Sequence, residues 1–224
     1  MAKFDLAKTQ VLYDLFAVPS ERRDDAWRER FFAAAPEASM ATSEHQVLDG
    51  PDGFPYFALH LPKPKTAFDT FCVTHVLDAC LEHGFGLLMT ADWEHPEWVF
   101  HYGDLWGLKE TGAFAVRRIV EPDRSKERKV MTGAPSDTLL PPVVRTVIRN
   151  WLVAQGVADP GVMLLHEPDA LPVQSLVFSV FPDGFATRAE YDDFMGRLAW
   201  FVAPQLGIVG ATRDSSIFHD FVPL

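Results

Sequence analysis

One succession occurs twice along this chain: an amphipathic helix, an apolar strand, a polar loop and a second apolar strand. In the first copy Thr66 caps a helix that runs to His83, with Phe68, Cys72, Val76 and Ala79 on one stripe. Gly84 suits the left-handed residue that closes such a helix, and His83 in the last turn suits the dipole. A strand from Phe85 to Ala91 follows. In the second copy Pro141 fits the first turn of a helix carrying Val144, Val147, Ile148, Trp151 and Leu152, which Gly156 ends. Strands Val162 to His166 and Gln174 to Phe181 come next. Leu87-Leu88-Met89 lines up with Met163-Leu164-Leu165, and Val99-Phe100 with Val177-Phe178. Two copies are too few for a solenoid, so the recurrence points to an ancient duplication.

The pattern predicts an α+β fold of two similar small lobes, each an antiparallel sheet covered by helices, with an N-terminal helical pair. The lobes are expected at residues 1–133, which include that pair, and 134–224. Phe4, Val11, Leu12, Leu15 and Phe16 share one helical face, in a helix ending near Pro19. Ser20 then caps a second helix that buries Trp27, Phe31 and Phe32 before Pro36. Strands at His45 to Leu48 and Phe54 to Leu61 flank the turn sequence GPDG, and Pro62-Lys63-Pro64-Lys65 separates them from the next helix. In the second lobe a helix from Thr187 to Val202 buries Tyr191, Phe194, Leu198 and Phe201, and Leu206 to Val209 forms a last strand.

Between the first pair of apolar strands lies the stretch richest in chemistry. MTADWEHPEWVFHYGDLWGL, from Met89 to Leu108, holds three of the six tryptophans. Trp98, Val99, Tyr102, Leu105 and Trp106 also fit a helical face after Pro96, but the recurrence favours a return strand from Trp98 to Gly103. The loop then presents Asp92, Trp93, Glu94, His95 and Glu97, followed by Trp98, His101, Asp104 and Trp106. Tryptophans and carboxylates on an outer rim fit recognition of a protein partner, since large aromatic side chains supply interface anchors. A metal-assisted hydrolase would need His95, His101 and neighbouring carboxylates to converge around an open coordination position. In an extended strand His101 points away from Trp98 and Phe100, which does not favour that geometry.

Other signals are weaker. The sequence has no phosphate-binding G-x-x-x-x-G-K-[ST] and no G-x-S-x-G elbow. Its two cysteines, Cys72 and Cys80, both fall on the first-copy helix, too far apart along it for a disulfide. They read as core residues of a protein in a reducing compartment, rather than as a Cys72–His75 nucleophile or half of a metal site. Ser215, Ser216, His219 and Asp220 offer triad residue types on a tail, without a frame to hold them.

A formal charge of −11 works against contact with nucleic acid or anionic lipid. Arg117 to Lys129, with six basic and three acidic residues, is the exception, and reads as a solvated hairpin tip or a connection between lobes, with a docking site for an acidic partner as the alternative. The N-terminus carries charges through any apolar core, and no apolar run is long enough to cross a membrane. The tail IFHDFVPL is too apolar to hang in water; it docks on its own body or, as the alternative, on a second copy in a homodimer. These features predict a cytoplasmic, non-enzymatic interaction module of adaptor, chaperone or inhibitor type, without a cofactor. The competing readings are the metal-assisted hydrolase and a small-ligand binder with its pocket between the lobes.

Overall fold

A computed structural model describes residues 4–42, 45–91, 95–120, 130–213 and 221–224 of the chain. Two compact units emerge, Met1–Ala115 and Val116–Leu224. The division falls at 115/116, ahead of the 133/134 boundary expected from the recurring pattern. Each unit carries its own mixed helix-and-sheet core.

The first unit opens with the expected helical pair, α1 (Leu6–Phe16) and α2 (Asp25–Ala34). Asp5 caps α1, its carboxylate accepting from the Ala7 and Lys8 N–H groups. The second cap is Asp24 rather than Ser20: its Oδ1 accepts from the Trp27 N–H at 2.8 Å, and Ser20–Arg22 forms a separate 3-10 turn. The Trp27 indole N–H donates to the Leu15 carbonyl at 2.9 Å, fastening the two helices.

A four-stranded sheet follows: β1 (Val47–Asp49), β2 (Pro55–His60), β3 (Gly86–Thr90) and β4 (Trp98–Phe100), in that spatial order. Helix α3 (Val73–His83) connects β2 to β3, which run parallel. The helix is shorter than its sequence period suggests. Phe71 bridges Met40 through two backbone hydrogen bonds of 2.7 and 2.8 Å, which holds the chain extended until Cys72 caps the helix. The buried stripe is accordingly Val73, Val76, Leu77, Cys80 and Leu81, while Ala79 is exposed and Phe68 lies off the helix. Gly84 closes it at φ 74°, as expected.

Both cysteines are buried thiols. Burial pushes the Cys80 thiol up to about 12, which suits an inert core residue and not a nucleophile. Cys72 sits at the cap with its Sγ 3.3 Å from the Thr74 hydroxyl, while the His75 ring packs on Phe71 and Phe4.

The second unit contains β5 (Met131–Gly133), α5 (Pro142–Ala154), β6 (Gly161–His166), β7 (Gln174–Phe178), α6 (Arg188–Leu198), β8 (Gly207–Val209) and β9 (Val222–Pro223). Its sheet order is β5-β6-β7-β8, with β9 also on β6. Successive side chains of a strand face opposite ways. On one face Met163, Leu165 and Val177 cluster with Ala211; on the other Val162, Leu176 and Phe178 are fully buried, so both faces of β6–β7 are covered. Trp151 ties α5 to α6 through the Phe194 ring at 5.2 Å. The C-terminus docks on its own unit, with Val222 paired to Val162 and Phe221 packed edge-on to Phe181.

Strand, helix, strand, strand, helix occurs in both units, but the two are not copies in strand direction. The first has its parallel pair before the hairpin, β2 with β3; the second has it after, β7 with β8. The sheets are thus mixed, each antiparallel apart from that one pair. The hairpin register pairs Leu87 with Phe100 and Val162 with Phe178. Superposing the hairpins therefore matches Leu87 to Val162, one residue before the Met163 that sequence alignment selects. Among the described residues no helix is long and apolar enough to cross a membrane.

Candidate functional site: the edge hairpin of the first unit

The chain doubles back between β3 and β4, with Leu87 opposite Phe100, Leu88 opposite Val99 and Met89 opposite Trp98. Two hydrogen bonds close the base of the connecting loop. The buried Thr90 hydroxyl donates to the His95 carbonyl at 2.9 Å, and the Glu97 N–H donates to the Met89 carbonyl at 2.8 Å. The return strand is short. It stops at Phe100, and α4 (Tyr102–Thr111) begins at once. The strand and helix periods seen after Pro96 are both real, in succession.

Alternation along β4 divides its side chains. Trp98 and Phe100 turn inward onto an aromatic layer. Phe31 is the hub of that layer, 5.2 Å from Trp98 and 5.8 Å from Phe100, with Trp27 stacked on it at 5.2 Å. Phe32 meets Trp98 edge-on at 5.5 Å, and Phe114 stacks on Phe100 at 3.9 Å. Val99 faces the other way and is 38% exposed. Among the described strands β4 is the last in its sheet, so its outer backbone edge has no neighbouring strand.

The polar residues named from the sequence separate rather than converge. The Glu97 carboxylate binds the Arg23 guanidinium at 2.5 Å, with side chains only 22% and 15% exposed. Arg23 also donates from Nε to the Val18 carbonyl at 2.9 Å and lies over the Trp27 ring at 4.8 Å. Glu97 is thereby committed to joining β4 to the helical pair. His101 is the N-cap of α4, and the Asp104 carboxylate accepts from its backbone N–H at 2.8 Å. Trp106 is 1% exposed and belongs to the core, not to an outer rim. His95 is exposed, beside the loop base. Asp92, Trp93 and Glu94 lie outside the described residues, as do residues 121–129 of the basic segment and Ser215, Ser216, His219 and Asp220. No group of three or more His, Cys, Asp or Glu that could hold a metal ion occurs among the described residues.

Sequence reasoning missed Arg23, whose partner is 74 residues away, and Val99, which is exposed on the last described strand of its sheet. It also read Lys63 and Lys65 only as punctuation. The Pro62–Phe68 segment that carries them separates two cavities of about 450 Å³ each. One lies against α1, lined by Leu6, Tyr13, Lys63, Lys65, Thr66 and Phe68 among others; the other is reached from His60, Asp69 and Phe71. The Tyr13 hydroxyl donates to the Pro62 carbonyl, fixing the segment to the helix.

Comparison of the chain with protein-family models, with curated proteins and with solved structures finds no match in any of the three.

Proposed function

We propose that the protein is a non-enzymatic interaction module of the cytoplasm, of adaptor, chaperone or inhibitor type, and that the β4 edge is where it meets its partner. The observation that carries this reading is Val99: an exposed apolar side chain on an edge strand whose inward neighbours, Trp98 and Phe100, are locked into an aromatic layer. Extended segments add to an open sheet edge through main-chain hydrogen bonds, with alternate side chains supplying specificity. A rigid edge gives up little conformational entropy when a partner strand arrives. The net charge of −11 favours a partner with basic residues flanking its apolar strand. Two buried cysteine thiols fit a reducing compartment.

Val99→Asp is the direct test. A charge at the centre of the edge strand is expected to exclude a partner strand while leaving the inward face untouched, so thermal stability should change little. In gently lysed cells the tagged wild-type protein should elute as a larger complex and the variant as the free chain. Identical elution of the two folded proteins would remove β4 from the function.

A further inference from the structure

We infer that the cavity between α1 and the Pro62–Phe68 segment is a binding site for a small amphipathic organic anion, one with a carboxylate or phosphate head on an apolar body. Its volume of about 450 Å³ lies in the range of small-molecule sites. Its lining divides by chemistry. Leu6, 68% exposed, the Tyr13 ring and Phe68 offer apolar surface, while Lys63, Lys65 and Thr66 offer donors. No carboxylate is among the described lining residues, although the chain as a whole carries a charge of −11. Neither lysine forms an ion pair among the described residues, in contrast to Lys8 with Glu37 and Lys109 with Asp78. Both lysines line the same cavity, so an anionic head bound there gains attraction from two positive charges.

The backbone supplies a second, independent observation. Lys65 has φ 60°, the one positive-φ residue other than glycine among those described. Glycine would occupy that conformation without steric cost. Strained backbone of this kind concentrates at ligand clamps and active sites, where the surrounding structure holds it. Here the turn is held by the Tyr13 hydroxyl on the Pro62 carbonyl, and α1 by the Thr9 hydroxyl on the Ser39 carbonyl at 2.9 Å. The strain leaves a lysine, not a glycine, at the rim of the cavity.

The test uses the full chain with 8-anilinonaphthalene-1-sulfonate as a fluorescent anionic probe, displaced by decanoate or by neutral 1-decanol below their aggregation limits. The wild type should bind the probe saturably. Decanoate should displace it, and 1-decanol at the same concentration should not. Lys63→Glu combined with Lys65→Glu should weaken probe binding at least tenfold with the circular dichroism spectrum unchanged. Lys65→Gly separates the site from the fold: it should raise the thermal midpoint and yet weaken the probe. If the double variant fails to fold, Lys65→Gly decides alone. Equal probe affinity in wild type and Lys65→Gly, equal displacement by 1-decanol, or no displacement by decanoate would each overturn the assignment. None of these outcomes bears on the β4 edge, which shares no residue with the cavity.

Discussion

Phe31→Ala is expected to destabilise the protein by about 3–5 kcal/mol, the cost of deleting a fully buried phenyl ring and leaving a cavity that its neighbours only partly fill. The high end of that range applies because of what surrounds the ring. Phe31 is fully buried, and Phe16, Trp27, Phe32, Trp98 and Phe100 all lie within 6.0 Å of it by ring centroid. Rings held from several elements cannot collapse together without moving α1, α2 and β4 at once. Most domains are stable by about 5–15 kcal/mol in total, so the variant sits near the limit of folding. Urea denaturation followed by tryptophan fluorescence measures it, since Trp27 and Trp98 report on the same layer. A loss under about 0.5 kcal/mol, the range of ordinary surface substitutions, would show that the layer does not anchor the edge.

Gly86→Ala is expected to cost about 1–3 kcal/mol by overpacking, from a single added methyl group. Gly86 lies on β3 between β2 and β4. A Cβ there would stand 2.5 Å from the Tyr56 ring and 2.8 Å from the Phe100 backbone carbonyl. The Tyr56 ring is itself held, its hydroxyl donating to the Asp52 carboxylate at 2.5 Å. Neither contact yields cheaply, because one is a pinned ring and the other is the backbone of β4. The methyl group therefore presses on the strand whose edge the proposed function uses. Thermal unfolding compared with Gly133→Ala, where an added Cβ meets nothing within 4 Å, isolates the steric effect. Equal midpoints for the two variants would contradict the packing described for β3.

How far the fold could be read from the sequence depends on whether a feature was local. The apolar runs of β3, β6 and β7 and the glycine closing α3 carry their signal within a few residues, and they were legible. The start of α3 was not, because the bridge between Met40 and Phe71 overrides a helical period that continues back to Phe68. α4 was hidden behind β4. Its Tyr102, Leu105 and Trp106 continue an apolar pattern begun by a strand, and Gly103 and Gly107 lower its intrinsic helix preference. Strand direction is set by tertiary pairing, so the parallel pairs of the two sheets left no local trace.

The candidate site shows the same division. The reversal at the hairpin was legible from the recurrence of two apolar runs about a polar loop. What the side chains do was not. Glu97 looks like a free rim carboxylate until Arg23 arrives from the helical pair, and Trp106 looks like an interface anchor until α4 turns it into the core. Val99, an ordinary strand valine in sequence, is left exposed because it points to the face of β4 opposite the aromatic layer, on the last described strand of the sheet.

Contact at the β4 edge is tested most directly by photo-crosslinking in cells, with a benzophenone side chain placed at Val99 and, as a control, at the exposed Ala79 of α3. One discrete adduct should form from position 99 and be absent from position 79. No adduct at 99, or the same adducts from both positions, would contradict the account.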